Sequence, residues 1–117
     1  MEQYRAAWQQ RFAERRNQLE ERKAELQEWA RTCVQVLTEQ FHVTAAYLIG
    51  SLAGPYPINE HSDIDLVVEG LKDEDYFHAL SAIYKKLPRT IEVDLIPYED
   101  VMLNIREEVS LRGVKLL

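Results

Sequence analysis

Three observations predict an α+β fold. From about Tyr4 to Gln40 the chain has no Pro or Gly and is dominated by Ala, Glu, Gln, Arg and Leu, the composition of a long helix. Three short apolar runs, at 45–49, 64–68 and 90–96, read as strands. Helical patterns between the second and third runs and after the third complete an order of helix, strand, loop, strand, helix, strand, helix, which suits helices packed on a small sheet.

Each element has its own signal. In the second half of the first helix, Leu26, Trp29, Ala30, Cys33, Val34 and Leu37 recur at helical spacing, so this half is expected to pack on the sheet. The first half carries Trp8, Phe12 and Leu19 among Arg11, Arg15, Arg16 and Arg22, too sparse for a sustained heptad seam, and is expected to project as a contact arm open to self-association. Ala45 to Ile49 and Ile64 to Val68 flank a loop. Asp73 or a neighbour is placed to cap a helix ending at Lys86, with Tyr76, Phe77, Leu80, Ile83, Tyr84 and Leu87 as its core face. Thr90 to Ile96 forms the third strand, broken by Pro97. Tyr98-Glu99-Asp100 opens a last helix to about Leu111, and Gly113 stops it before an apolar tail, Val114 to Leu117.

Composition bounds the function. With 117 residues, 46% of them apolar, the chain has material for one compact core. It begins with no apolar signal region and contains no run near the length of a membrane span. The single Cys33 excludes an internal disulfide and fits a reducing cytoplasm; its place on an apolar helical face makes it a packed thiol. Net charge is −6, and residues 1–40 hold seven basic and seven acidic side chains, so the excess acid lies later in the chain. That balance argues against broad nucleic-acid binding. Lys85, Lys86 and Arg89 cluster where they complement a helix dipole. His42, His61 and His78 lack metal-ligand spacing; of the three, only His61, inside the loop, stands where it could serve a site.

The chemistry concentrates in Gly50-Ser51, Ser62-Asp63-Ile64-Asp65-Leu66 and Ile91-Glu92-Val93-Asp94-Leu95. Strand side chains alternate faces, so Asp63 and Asp65 point the same way, their α-carbons roughly 6.5 Å apart. Glu92 and Asp94 likewise share a face, and Asp94 joins the aspartate pair if the strands are neighbours. Three converging carboxylates repel, and a cation among them relieves the repulsion. Oxygen-only ligands select a hard ion, Mg2+ or Mn2+. A Gly-Ser turn adds backbone N–H groups that can approach phosphate, and the Ser51 hydroxyl as a further donor.

At these residues the chain resembles the nucleotidyltransferase superfamily related to DNA polymerase beta, and within it the minimal nucleotidyltransferase (MNT) antitoxins of prokaryotic toxin-antitoxin pairs. The resemblance runs from about Leu37 to Leu117. Tyr47-Leu48-Ile49-Gly50-Ser51 is similar to the family's first strand and nucleotide turn, Ser62 to Val68 to its metal-binding strand, and Val93-Asp94-Leu95-Ile96 to the strand bearing its third carboxylate. Ile105-Arg106 through Leu117 is like its terminal helix and tail. The resemblance implies a nucleotidyltransferase fold with a short mixed β-sheet packed by helices. It divides the chain into a partly projecting N-terminal helix, 1–36, and a minimal nucleotidyltransferase domain, 37–117. It also implies transfer of AMP from ATP, with Asp63, Asp65 and Asp94 as metal ligands and catalytic carboxylates and with Gly50 and Ser51 on the nucleotide phosphates.

Two features depart from the family pattern. Eleven residues separate Ser51 from Asp63, one more than is usual, a small change in loop closure. The loop from Leu52 to His61 carries no Lys or Arg where the family commonly has basic residues. The acceptor is expected on another macromolecule, because the chain has little length to build a pocket for one. The resemblance points to a tyrosine hydroxyl on a toxin with a helical nucleotide-binding (HEPN) domain, making the chain a cytoplasmic antitoxin that acts by adenylylation. Two alternatives stand beside it: a noncatalytic module that neutralises its partner by contact, and a small-molecule nucleotidyltransferase that completes its pocket as a dimer.

Overall fold

A computed structural model describes residues 2–55, 58–59 and 62–117, with the side chains of residues 2–4 excepted. His61, together with Tyr56, Pro57 and Glu60, lies outside the described residues. The first helix, α1, runs Glu2–Phe41. Forty residues at 1.5 Å rise span about 60 Å, in keeping with the molecule's 62 Å long axis. It ends at His42, whose φ of 56° lies in the left-handed region, and the Val43 N–H donates to the Leu37 carbonyl to close the last turn.

The sheet has four strands: β1 (Ala45–Ile49), β2 (Ile64–Glu69), β3 (Val93–Pro97) and β4 (Val114–Lys115), in the order β3-β2-β1-β4. β1 is antiparallel to β2 and β4, while β2 and β3 are parallel. The sheet is therefore mixed. Alternation then sorts the side chains. Leu48, Ile64, Leu66, Val68, Val93 and Leu95 join the main core, under Leu26, Ala30, Cys33 and Leu37 of α1 and Ala79 and Ile83 of α2 (Tyr76–Lys86). Ile49 and Val67 face the other way, against Val109 and Ile105 of α3 (Leu103–Arg112). Cys33 is buried, and burial pushes its thiol pKa up to about 12, so it is an inert core group.

The two halves of α1 differ as their composition predicts, with one shift. Trp8 and Phe12 are 56% and 67% exposed and stack on each other, whereas Leu19 already packs against the main core. Projection therefore ends before Leu19, which the sequence pattern had placed in the projecting half. Nearby, Lys23 Nζ donates to the Gly54 carbonyl at 2.5 Å and Gln27 Nε2 to the Leu52 carbonyl at 2.9 Å, so α1 pins the turn that follows β1.

Several boundaries differ from the sequence expectations. The third strand starts at Val93, because Pro88 to Glu92 turns back on itself through the Ile91 N–H to Pro88 carbonyl bond. Asp73–Asp75 is a 3-10 turn ahead of α2, and no side chain caps either segment. The last helix is interrupted: Tyr98–Asp100 is a 3-10 turn, and Val101 is extended before α3 begins. The apolar tail is a strand. Tyr47 pairs with Lys115 and Leu48 with Val114. A β-carbon at Gly113 would lie 2.5 Å from the Val109 carbonyl oxygen, so a residue without one lets the chain turn from α3 into β4.

Candidate active site

β1 delivers its C-terminal end into a 3-10 turn, Gly50–Leu52, closed by the Ala53 N–H on the Gly50 carbonyl. Gly50 has φ +74°, a conformation an L side chain avoids. A β-carbon there would also lie 2.6 Å from Asp65 Oδ2. The contact follows from register, since Ile49 pairs with Asp65 across the β1–β2 ladder. On the other side of β2, Asp65 pairs with Asp94 of β3. Ile49, Asp65 and Asp94 thus lie in register across the sheet, on the face that α3 covers, with Gly50 against the Asp65 carboxylate.

Asp65 is half-buried, while Asp63 and Asp94 are exposed. Burial first, and then the negative charges of Asp94, Asp63 and Glu108, raise the Asp65 pKa from 3.8 to about 6. Asp63 precedes β2, and the Ile64 N–H to Glu92 carbonyl bond carries the ladder to the next residue. Ser62 and Asn59 hold the loop's return, with the Asn59 N–H donating to Ser62 Oγ at 3.2 Å. Among the described residues no three carboxylate, histidine or cysteine side chains converge into a ready metal cage. The structure brings Asp65 and Asp94 into one row, with Asp63 at its rim and close enough for its charge to act on Asp65. The donor set suits a hard divalent ion, being oxygen-only and anionic, with the Asp65 carboxyl held above its ordinary range first by burial and then by its carboxylate neighbours.

A cleft of about 570 Å3 opens beside this row, lined by Gly50, Ser51, Ala53, Gly54, Pro55, Glu108 and Arg112. Glu108 and Arg112 were missed by sequence reasoning. The available signal was helical spacing: 105, 108, 109 and 112 fall on one face of α3, and Ile105 and Val109 mark that face as the one packed on the sheet. At the far edge, the Tyr76 hydroxyl donates to the Leu95 carbonyl, and the Tyr84 hydroxyl donates to the Val93 carbonyl and accepts from its N–H, so α2 covers the outer edge of β3.

Comparison with known proteins places this geometry. The family model described as "Polymerase beta, Nucleotidyltransferase" matches residues 31–117. Curated proteins gave no match. Among solved structures, the chain matches a toxin-antitoxin MntA-HpeT mutant with a TM-score of 0.61 and 18% identity, covering 74% of this chain and 70% of that one. A toxin-antitoxin structure with AMP-PNP gives 0.61 at 20% identity, covering 74% and 72%. The tri-AMPylated Shewanella oneidensis HEPN toxin in complex with MNT antitoxin gives 0.58 at 20% identity, covering 79% and 71%. At such identities the likeness is one of fold. The family-model match over residues 31–117 makes the chain a member of the polymerase beta nucleotidyltransferase family.

Proposed function

We propose that the chain transfers AMP from ATP to a tyrosine hydroxyl of a partner HEPN toxin and so acts as an antitoxin. The observation that carries this reading is the row of Asp65 and Asp94 beside the Gly50-Ser51 turn, with Asp63 at its rim. Family membership supports nucleotidyl transfer. A related fold occurs in complex with a tri-AMPylated HEPN toxin, which supports the partner class.

Asp63, Asp65 and Asp94 would hold Mg2+ or Mn2+, and the ion would neutralise phosphate charge and favour ionisation of the acceptor hydroxyl. Gly50 lets backbone donors approach the outer phosphates, and the Ser51 hydroxyl donates to them. Asp94, exposed at the edge of the row, is open to an acceptor arriving from outside and can take its proton. The acceptor oxygen bonds to the α-phosphorus, the bond from that phosphorus to the bridging oxygen breaks, and pyrophosphate leaves with the electron pair. The partner must supply the acceptor, since the cleft of about 570 Å3 has room for little beyond a nucleotide.

The test is the intact mass of the partner after incubation with this chain, ATP and Mg2+. An added AMP supports the proposal. Neutralisation of the partner with no mass change would give the function to contact alone, the reading favoured by a loop after Ser51 without Lys or Arg.

A further inference from the structure

The loop after Ser51 has no basic residue among its described members, yet the fold brings Arg112 to it from the other end of the sequence, in addition to Lys23 of α1, whose Nζ donates to the Gly54 carbonyl. Leu48 pairs with Val114 across the β1–β4 ladder. Gly113 joins Val114 to Arg112, the last residue of α3, so the ladder brings that helix end toward the turn after β1. The cleft lining agrees, with Arg112 facing the same space as Gly50, Ser51 and Gly54. The ladder and the cleft lining place the end of α3 at the same turn.

The polarity of the cleft is graded. Glu108, one turn earlier on α3, lies toward Asp65 and adds to the negative charge there. Arg112 stands at the opposite end, on the last turn of its helix. The position of that helix end is fixed on three sides: by the Gly113 N–H on the Val109 carbonyl, by the β4 pairing, and by the Leu116 N–H on the Ala46 carbonyl at 2.8 Å. A cation in the last turn of a helix also complements the dipole, which accounts for an arginine there without a ligand. It does not account for the placement beside a turn shaped for phosphate.

We propose that Arg112 is the phosphate-binding cation of this nucleotide site, taking from the C-terminal helix the role that the turn after Ser51 leaves open. The proposal rests on the nucleotidyl-transfer reading above. Guanidinium is suited to the task because it stays charged and can present two N–H groups to one phosphate. Its ligand is the β- and γ-phosphates of a nucleoside triphosphate, while the base and ribose lie beyond its reach of charge.

Binding of ATP and of adenosine, each with Mg2+, to wild type, Arg112→Gln, Arg112→Lys and the control Arg89→Gln separates the possibilities. The expected result is an ATP Kd raised roughly 10- to 100-fold in Arg112→Gln. Adenosine affinity should be unchanged, Arg112→Lys should recover part of the loss, and Arg89→Gln should match wild type. In the transfer reaction the Arg112→Gln defect should fall mainly on KM for ATP. Wild-type ATP binding with an unchanged Kd in Arg112→Gln would overturn the role of Arg112 and leave the transfer reading standing. Equal losses for ATP and adenosine would make Arg112 a structural residue. No ATP binding by wild type would overturn the site as a whole.

Discussion

A β-carbon on Gly50 would meet the Asp65 carboxylate at 2.6 Å, so the turn that faces phosphate and the strand that carries the central aspartate are fitted to each other at this one point. Position 50 is constrained twice, by φ and by this contact. Gly50→Ala should cost about 1–2 kcal/mol from the left-handed backbone alone, and should push the Asp65 side chain out of its row. Thermal melts should show a folded, moderately destabilised protein, and transfer should fall far more than partner binding. Full activity in Gly50→Ala would show that the contact has no functional consequence.

Asp65 also predicts a pH dependence. Its carboxyl titrates at about 6 in the folded chain against 3.8 in the reference state. Between those values the folded state binds more protons than the unfolded, so stability is greatest below the lower value and declines as pH rises through the upper one. Melting temperature in EDTA should therefore fall from pH 4 toward pH 7 more steeply in wild type than in Asp65→Asn. Millimolar Mg2+ at pH 7 should recover the loss in wild type, and less in the mutant. An equal Mg2+ response in a variant lacking all three aspartates would argue against the metal site.

The N-terminal arm is separable on packing grounds. Trp8 and Phe12 are exposed, whereas Leu19 packs on the core and Lys23 and Gln27 hold the turn after β1. Deleting residues 1–18 should leave a cooperatively unfolding domain and weaken partner binding or self-association. Loss of cooperative unfolding would show that the arm supports the fold.

Tyr84 closes the edge of β3 with two bonds to Val93. Tyr84→Phe should lower stability by about 0.5–1.5 kcal/mol and promote association through the uncovered edge, read by urea melts and sedimentation. No change in either would mean that water replaces the hydroxyl without loss.

How legible these features were in the sequence follows from their range. Apolar periodicity marked the existence of α1, β1, β2 and α2, because each depends on local pattern, but Phe77 and Tyr84, expected on the core face of α2, are exposed. The Asp65–Asp94 pairing was conditional on strand order, which periodicity does not carry, and the register makes it real. The tail at Val114 to Leu117 looked like a loose apolar end, since a two-residue strand gives no alternation to recognise. Arg112 and Glu108 gave only the signal of helical spacing, since which face of α3 meets the sheet depends on packing against Ile49 and Val67, distant in sequence. The break before α3 was hidden because Val101 and Met102 bear no Pro or Gly signal.

The central claim is that the aspartate row performs nucleotidyl transfer, and the most direct measurement is the mass of the cognate partner after reaction with wild type, Asp63→Ala and Asp65→Ala in ATP and Mg2+. The account predicts one or more added AMP units with wild type and none with either mutant, while both mutants still form the complex. Removing these carboxylates acts on the transition state rather than on a distant protein contact. An unmodified partner neutralised equally well by wild type and by both mutants would contradict it.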